Sequence, residues 1–295
     1  MKNTAELKHS LSAIRQTRQI TNAMYLLSVS EMKRCLPNAD YAAQYMQLLR
    51  ETKRDILSFS QDFDHPFKRS YTHGGKVAFV VIASDKSMCG AYNQNIANLA
   101  MEQIAAVEQP YVIMKGHCLR SILSSKGVEP DEEWEYPGNF PKIEYAADMA
   151  DRLIGLYLSQ DTDQVNLIYT KYLSQTVQQA RCYTLLPLTK DFFHPDETSQ
   201  SNGMMAFHPT EDGVFYTLTR NFIQGLVYSA MYQSYVSEQI ARMNAMRSAT
   251  NNADKMVTEL MSKLNSQRQL TITSELIEIA SASGAQQANQ EEKTK

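Results

Sequence analysis

Leu226–Ser283 reads LVYSAMYQSYVSEQIARMNAMRSATNNADKMVTELMSKLNSQRQLTITSELIEIASAS, 58 residues without a glycine or a proline. Those two residues end helices, glycine through its conformational freedom and proline through its missing N–H. Ordinary globular helices run roughly 8–20 residues, so an unbroken stretch of this length predicts a coiled coil or a helical stalk, on the order of 87 Å if helical throughout. Val236, Ile240, Met243, Thr250, Val257, Leu260 and Leu264 supply its apolar stripe, with Arg247, Gln267 and Ser274 on or beside it. A seam this polar is weak as a self-sufficient zipper and requires a second helix or a surrounding partner.

The other end of the chain offers that second helix. From residue 1 to about residue 60 the only breaker is Pro37. Met32, Cys35, Ala39, Ala42, Met46, Leu49, Lys53 and Ile56 step alternately by three and four, a heptad seam with one charged interruption. Upstream, Leu7, Leu11, Ile14, Ile20, Met24 and Leu27 continue the stripe less strictly. Pro37 removes one backbone hydrogen bond and is expected to bend the helix. The two terminal segments are therefore expected to form a long antiparallel coiled coil.

Residues 75–210 differ in kind. Val77–Ala83 (VAFVVIA) is a continuous apolar run that fits a strand buried on both faces. Tyr111–Met114, Val165–Tyr172 and Arg181–Leu186 fit further strands, and helical patterns lie between them at about 93–107, 117–126 and 143–159. Alternating strands and helices predict an α/β fold, a small parallel or mixed sheet flanked by helices. Asp191–Asp212 reads as a loop. The predicted organisation is an N-terminal helix over 1–60, an α/β domain over 75–210, a C-terminal helix over 211–285 and a frayed polar tail over 286–295.

Composition narrows the function. With 43% hydrophobic and 21% charged residues the chain resembles a soluble globular protein, and a net charge of -3 disfavours binding nucleic acid mainly by electrostatics. MKNTAELKHS has no apolar core, so no secretory signal is expected. Cys35, Cys89, Cys118 and Cys182 include no CxxC, and the six histidines form no HExxH, so neither disulfides nor a structural metal is expected. Asp131-Glu132-Glu133 and Glu291-Glu292 read as solvated acids rather than a glycosidase pair. No GxSxG, GxxxxGK[ST] or GxGxxG occurs. The first 34 residues carry six Lys/Arg against two acids, which reads either as a solvated face or as a basic band facing an acidic partner.

The turn Ser84–Asn93 (SDKSMCGAYN) follows the buried strand, where α/β proteins place ligands. Lys86 and the amides after it suit an anion at the next helix N-terminus. Cys89 as a nucleophile needs a base that the sequence does not identify. A structural turn is the simpler role.

Three separated stretches, in order, resemble the γ subunits of F-type ATP synthases. Ile14–Met24 and Leu26–Arg34 are similar to the family pattern I-x-N-T-x-K-I-T-x-A-M followed by M-V-A-x-S-K-M-R. Ser84–Asn93 is similar to S-D-R-G-L-C-G-G-x-N. Ser237–Ala253 matches S-E-x-x-A-R-M-x-A-M-x-x-A-T-x-N-A, and Arg268-Gln269 with Ile272–Ile279 matches R-Q-x-x-I-T-x-E-L-x-E-I. The family's Asn stands as Gln16, its second basic residue as Gln19, its Lys as Glu31, and the glycine after the turn's basic residue as Ser87.

The resemblance implies a Rossmann-like α/β domain between the two helices of an antiparallel coiled coil, in a central-stalk rotor subunit that couples ion flow to ATP synthesis or hydrolysis without catalysing either. It implies α and β subunits, an ε subunit and a ring of c subunits as partners. It implies no cofactor, and a peripheral place at the cytoplasmic face of a bacterial membrane. It further implies that Arg268 and Gln269 meet a loop of β, and that Met24, Arg242, Thr273, Glu275 and Glu278 lie in the paired shaft. Thr17 and Thr21 are expected to satisfy backbone or helix-pair hydrogen bonds. The alternative is a ligand-binding or enzymatic α/β domain using Ser84–Asn93, with the long helices as a dimerisation arm.

Overall fold

The structure is a computed structural model that describes residues 4–59, 65–68, 75–136, 140–188 and 210–292. Among them the elements run α1 (Thr4–Phe59), β1 (Lys76–Ile82), α2 (Tyr92–Ala105), β2 (Gln109–Lys115), α3 (His117–Ser125), β3 (Glu132–Glu133), α4 (Ile143–Leu158), β4 (Gln164–Tyr172), β5 (Gln178–Leu186) and α5 (Glu211–Glu292). The chain divides into two compact units, one of Leu27–Ala245 and one of Met1–Leu26 with Met246–Lys295. The expected loop over 191–212 lies outside the described residues as far as residue 209.

In the larger unit the strands form one sheet in the order β3-β2-β1-β4-β5. β1 pairs in parallel with β2 and β4, β2 in parallel with β3, and β4 antiparallel with β5. β1 lies at the centre, which is why its sequence is apolar without alternation. Its even positions, Ala78, Val80 and Ile82, pack with Met149, Leu153 and Tyr157 of α4 and with Phe222, Ile223 and Val227 of α5. Its odd positions, Val77, Phe79 and Val81, pack with Ile96 and Ala100 of α2 and Leu119 and Leu123 of α3. Both faces are covered, and each such side chain removed from water contributes about 1.5–3 kcal/mol. Through Ala245, α5 is therefore a layer of the α/β core.

α5 starts where Thr210 Oγ1 accepts the Gly213 N–H at 3.2 Å, a side-chain cap on an otherwise orphaned donor. It does not stop at Gly284. The helix runs on to Glu292 instead of fraying, because AQQANQEE contains good helix formers and one glycine costs only about 1 kcal/mol. α1 likewise continues through Pro37. Within this unit Met32 and Cys35 of α1 are buried against Tyr232, Tyr235 and Val236 of α5. The side chains of the other expected seam positions, Ala39, Ala42, Met46, Leu49, Lys53 and Ile56, lie outside the described residues.

In the smaller unit the ends of α1 and α5 pair antiparallel. Arg18 is ion-paired to Asp254, Thr250 is hydrogen-bonded to Thr21 at 2.9 Å, and Arg15 reaches Met261 at 3.6 Å. The seam differs from the expected stripe. Leu7, Leu11 and Thr21 are buried, whereas Ile20 is 60% exposed. In the larger unit Leu27 is 67% exposed and its neighbour Ser28 is buried. Leu7, Ile14, Thr21, Ser28 and Cys35 keep strict steps of seven, so helix geometry selected small polar residues over the larger apolar ones beside them. On α5, Met246 and Ala253 are buried between the expected positions, and Arg247 and Ser274 are exposed.

Candidate functional site

The Ser84–Asn93 turn is closed by its own groups. The Ser84 N–H donates to Asn93 Oδ1 at 3.1 Å, which orients the amide. Asn93 Nδ2 then donates to Ser84 Oγ at 2.7 Å, and Ser84 Oγ to the Lys86 carbonyl at 2.9 Å. Met88 and Gly90 take positive φ values of 64° and 60° to make the bend. Cys89 is buried, with Asn93 Nδ2 at 3.4 Å and Ser84 Oγ at 3.6 Å. None of these groups is a base able to activate a thiol.

Arg242 belongs to this turn. The family resemblance put it in the paired shaft. Its guanidinium instead donates to the carbonyls of Lys86 at 3.1 Å and Ser87 at 3.5 Å, and pairs with Glu238 one helical turn back at 2.8 Å. Arg242 is 6% exposed. Burial pushes the Glu238 carboxyl above the ordinary glutamate range, more than the facing Arg242 guanidinium pulls it down. Beside this pair the nearly buried Lys115 is bonded to Asp85 and lies 5.0 Å from the centre of the Tyr136 ring. Tyr92 Oη, donating to the Ser234 carbonyl at 3.1 Å, ties α2 to α5. Sequence reasoning missed Glu238, Asp85 and Lys115. For Glu238 the available signal was its four-residue spacing from Arg242.

Two departures from the family pattern have local partners. Glu31 accepts from Tyr235 Oη at 3.0 Å and from Arg34 at 2.6 Å, and Arg34 also lies 4.9 Å from the centre of the Phe140 ring. Ser87 offers Arg242 its backbone carbonyl, so the side chain there is free to vary.

Of the acids expected to be solvated, Asp131 is exposed, the side chains of Glu291 and Glu292 lie outside the described residues, and Glu132 and Glu133 differ from the expectation. Glu132 and Glu133 form the edge strand β3 and are half-buried, paired with Arg152 at 3.0 Å and Arg120 at 2.5 Å. Asp131 accepts the Val112 N–H at 2.7 Å. His117, Glu133 and Glu135 bring three possible metal-ligand atoms within 4.8 Å of one another, but Arg120 already neutralises Glu133 and the other two are exposed.

The remaining expected residues lie in the smaller unit. Met24 is half-buried on α1. Arg268, Gln269, Thr273, Glu275 and Glu278 are all exposed on α5, beyond the part that meets α1 in the bonds above. Thr273 Oγ1 donates to the Gln269 carbonyl at 2.9 Å, as Thr17 does to the Ala13 carbonyl at 3.0 Å. From Arg268 to Ala282 every residue is exposed, including Leu270, Ile272, Leu276, Ile277 and Ile279. No helix among the described residues is long and apolar enough to cross a membrane.

A family model described as ATP synthase matches residues 3–286. The ATP synthase gamma chain of Ruminiclostridium cellulolyticum is 32% identical, with 96% of this chain and 98% of that protein covered. The gamma chain of Caldicellulosiruptor saccharolyticus is 31% identical at the same coverage. A chain of the Euglena gracilis mitochondrial ATP synthase, solved with OSCP, F1 and c-ring in rotational state 3, shares the fold. Its TM-score is 0.69 at 14% identity, with 97% of this chain and 95% of that one covered. Matched along nearly its whole length by the family model and by relatives covered almost end to end, the chain belongs to the ATP synthase gamma-chain family.

Proposed function

We propose that this chain is the central-stalk rotor subunit of an F-type ATP synthase, coupling transmembrane ion flow to ATP synthesis or hydrolysis by rotation. The carrying observation is the end-to-end match to ATP synthase gamma chains. Its partners on this reading are the α and β subunits of the catalytic hexamer, the ε subunit and the c-subunit ring. The complex holds it at the cytoplasmic face of a bacterial membrane. The chain carries torque and catalyses nothing itself. An asymmetric helix pair meets each β subunit with a different face at each angle and so biases its nucleotide site, which is coupling by differential contact.

The residue roles belong to the same proposal. Arg268 and Gln269, exposed on α5, are free to make hydrogen bonds to β that form at some rotor angles and break at others. Thr273, Glu275 and Glu278 share that exposed stretch, and Met24 sits on the paired part of α1. Arg242 acts at a distance from them in sequence, fixing α5 to the Ser84–Asn93 turn. A ligand site at that turn is not favoured, since the Lys86 carbonyl and the Ser84 and Asn93 side chains bond one another and Arg242.

Affinity purification of the tagged chain from native membranes, with identification of co-eluting chains, tests the reading. Recovery of α, β, ε and c subunits is expected. Recovery of the intact chain without α, β and c overturns it.

A further inference from the structure

Thr21 is 8% exposed in a helix seam whose other buried members are Leu7, Leu11, Met246 and Ala253. Thr250 Oγ1 lies 2.9 Å from Thr21 Oγ1, Thr21 Oγ1 lies 3.1 Å from the Arg18 carbonyl, and Thr250 Oγ1 lies 2.9 Å from the Met246 carbonyl. Two hydroxyl protons serve three short contacts. Two of the three ways to place them put one proton between the helices, and the third sets two oxygen lone pairs against each other at 2.9 Å, which repel, so one hydroxyl donates across the pair and the other to its own backbone. No polar atom of the pair is left unsatisfied.

We propose that the Thr21–Thr250 pair is a register pin that fixes the axial and rotational setting of α1 against α5. Apolar seam contacts are non-directional and tolerate sliding and rotation. A hydrogen bond between helices does not, because it is directional and any other setting loses it, each hydroxyl then keeping only the carbonyl of its own helix. Elsewhere in this unit the polar contacts between the two helices among the described residues lie at the rim. Arg18–Asp254 is about half exposed on both sides, so it guides the pairing weakly. The seam's strict steps of seven place Thr21 level with Thr250, and carry Ile14 to the level of Val257 and Leu7 to that of Leu264. Small residues at this layer suit close approach of the two backbones.

The consequence for coupling rests on the rotor reading above, because a shaft whose helices shift against each other dissipates torque. Two measurements separate the claims. In the full-length chain, with Cys118 and Cys182 changed to serine and the other two thiols buried, spin labels at Lys8→Cys and Lys263→Cys report the distance distribution across the pair. Thr21→Val/Thr250→Val keeps side-chain shape and is expected to widen that distribution about twofold while leaving the melting temperature unchanged or higher. Thr21→Ser/Thr250→Ser restores the hydroxyls and is expected to keep the original width. The single change Thr250→Val serves if the double variant does not fold. An unchanged width in the valine variants overturns the pin. In the assembled complex the same valine variants should pump fewer protons per ATP hydrolysed, with recovery in the serine variant. A widened distribution with unchanged pumping overturns the claim that coupling uses the pin.

Discussion

Arg242 shows how one buried charge decides where a long helix sits. Its side chain is 7% exposed and that of Glu238 13%, so each is the other's main compensation for lost water. Arg242→Ala leaves a buried carboxyl without its hydrogen-bonded cation, with only Lys115 nearby, a loss of about 3–5 kcal/mol. The loss is pH-dependent with a definite sign. The Glu238 carboxyl already titrates above the ordinary range in the folded chain. Such a group contributes its stability in full below its unfolded pKa, and that contribution is lost as pH rises through the folded value. Removing Arg242 takes away a lowering influence, so the variant should lose more stability against wild type at pH 8 than at pH 5. Urea unfolding at both values checks this. Adding Glu238→Gln to Arg242→Ala should remove most of the pH dependence. Equal losses at the two pH values, without that rescue, contradict the assignment.

Individual elements carry more of their structure in their own sequence than the helices do between them. β1 and β2 were legible because a strand buried on both faces is apolar at every step, as VAFVVIA and YVIM show, and β4 because VNLIYTKY alternates as a strand does. β3 was not, since two glutamates carry no period and pair only because β2 is beside them. The turn after β2 depends on Gly116, where φ is 113° and a Cβ would lie 2.7 Å from the Ala83 carbonyl carbon and oxygen. Gly127 also has positive φ, 82°, but open space around it. Gly116→Ala should therefore cost about 2 kcal/mol or more and Gly127→Ala about 1, measured by chemical denaturation. Equal costs would remove the steric argument. On β5, burial pushes the Cys182 thiol up to about 11. Little thiolate is present at pH 8, so alkylation of Cys182 by iodoacetamide should be about a hundredfold slower in the folded chain than in urea. Peptide mass spectrometry after timed quenching reads that ratio, and a ratio near one contradicts the burial.

At the scale of the whole molecule, periodicity reported that two long helices exist and which faces are apolar, but not what covers each face. The same three-four spacing serves α5 where it packs on the sheet at Phe222–Val227 and where it meets α1 at Thr250. For that reason spacing alone gives Arg242 no partner, its acceptor carbonyl being 156 residues away, and the exposed stretch from Arg268 onward is identified by motif alone. That stretch leaves Leu270 58%, Leu276 61%, Ile277 60% and Ile279 67% exposed, more apolar side chain than a free helix in water favours. On the rotor reading a collar of other subunits covers it, and Arg268 and Gln269 are its directional contacts. Replacing both by leucine leaves helix propensity intact, so the chain should fold and assemble. It should lower multi-site ATP turnover by at least about tenfold, since each charge-assisted bond lost is worth about 1.5–3 kcal/mol. Truncation after Gly284 removes AQQANQEEKTK, which holds no apolar residue larger than alanine, and should change turnover far less. Rates are to be compared in complexes of equal subunit composition. If the truncation slows turnover as much as the double leucine variant, the effect belongs to the length of α5 and not to Arg268 and Gln269.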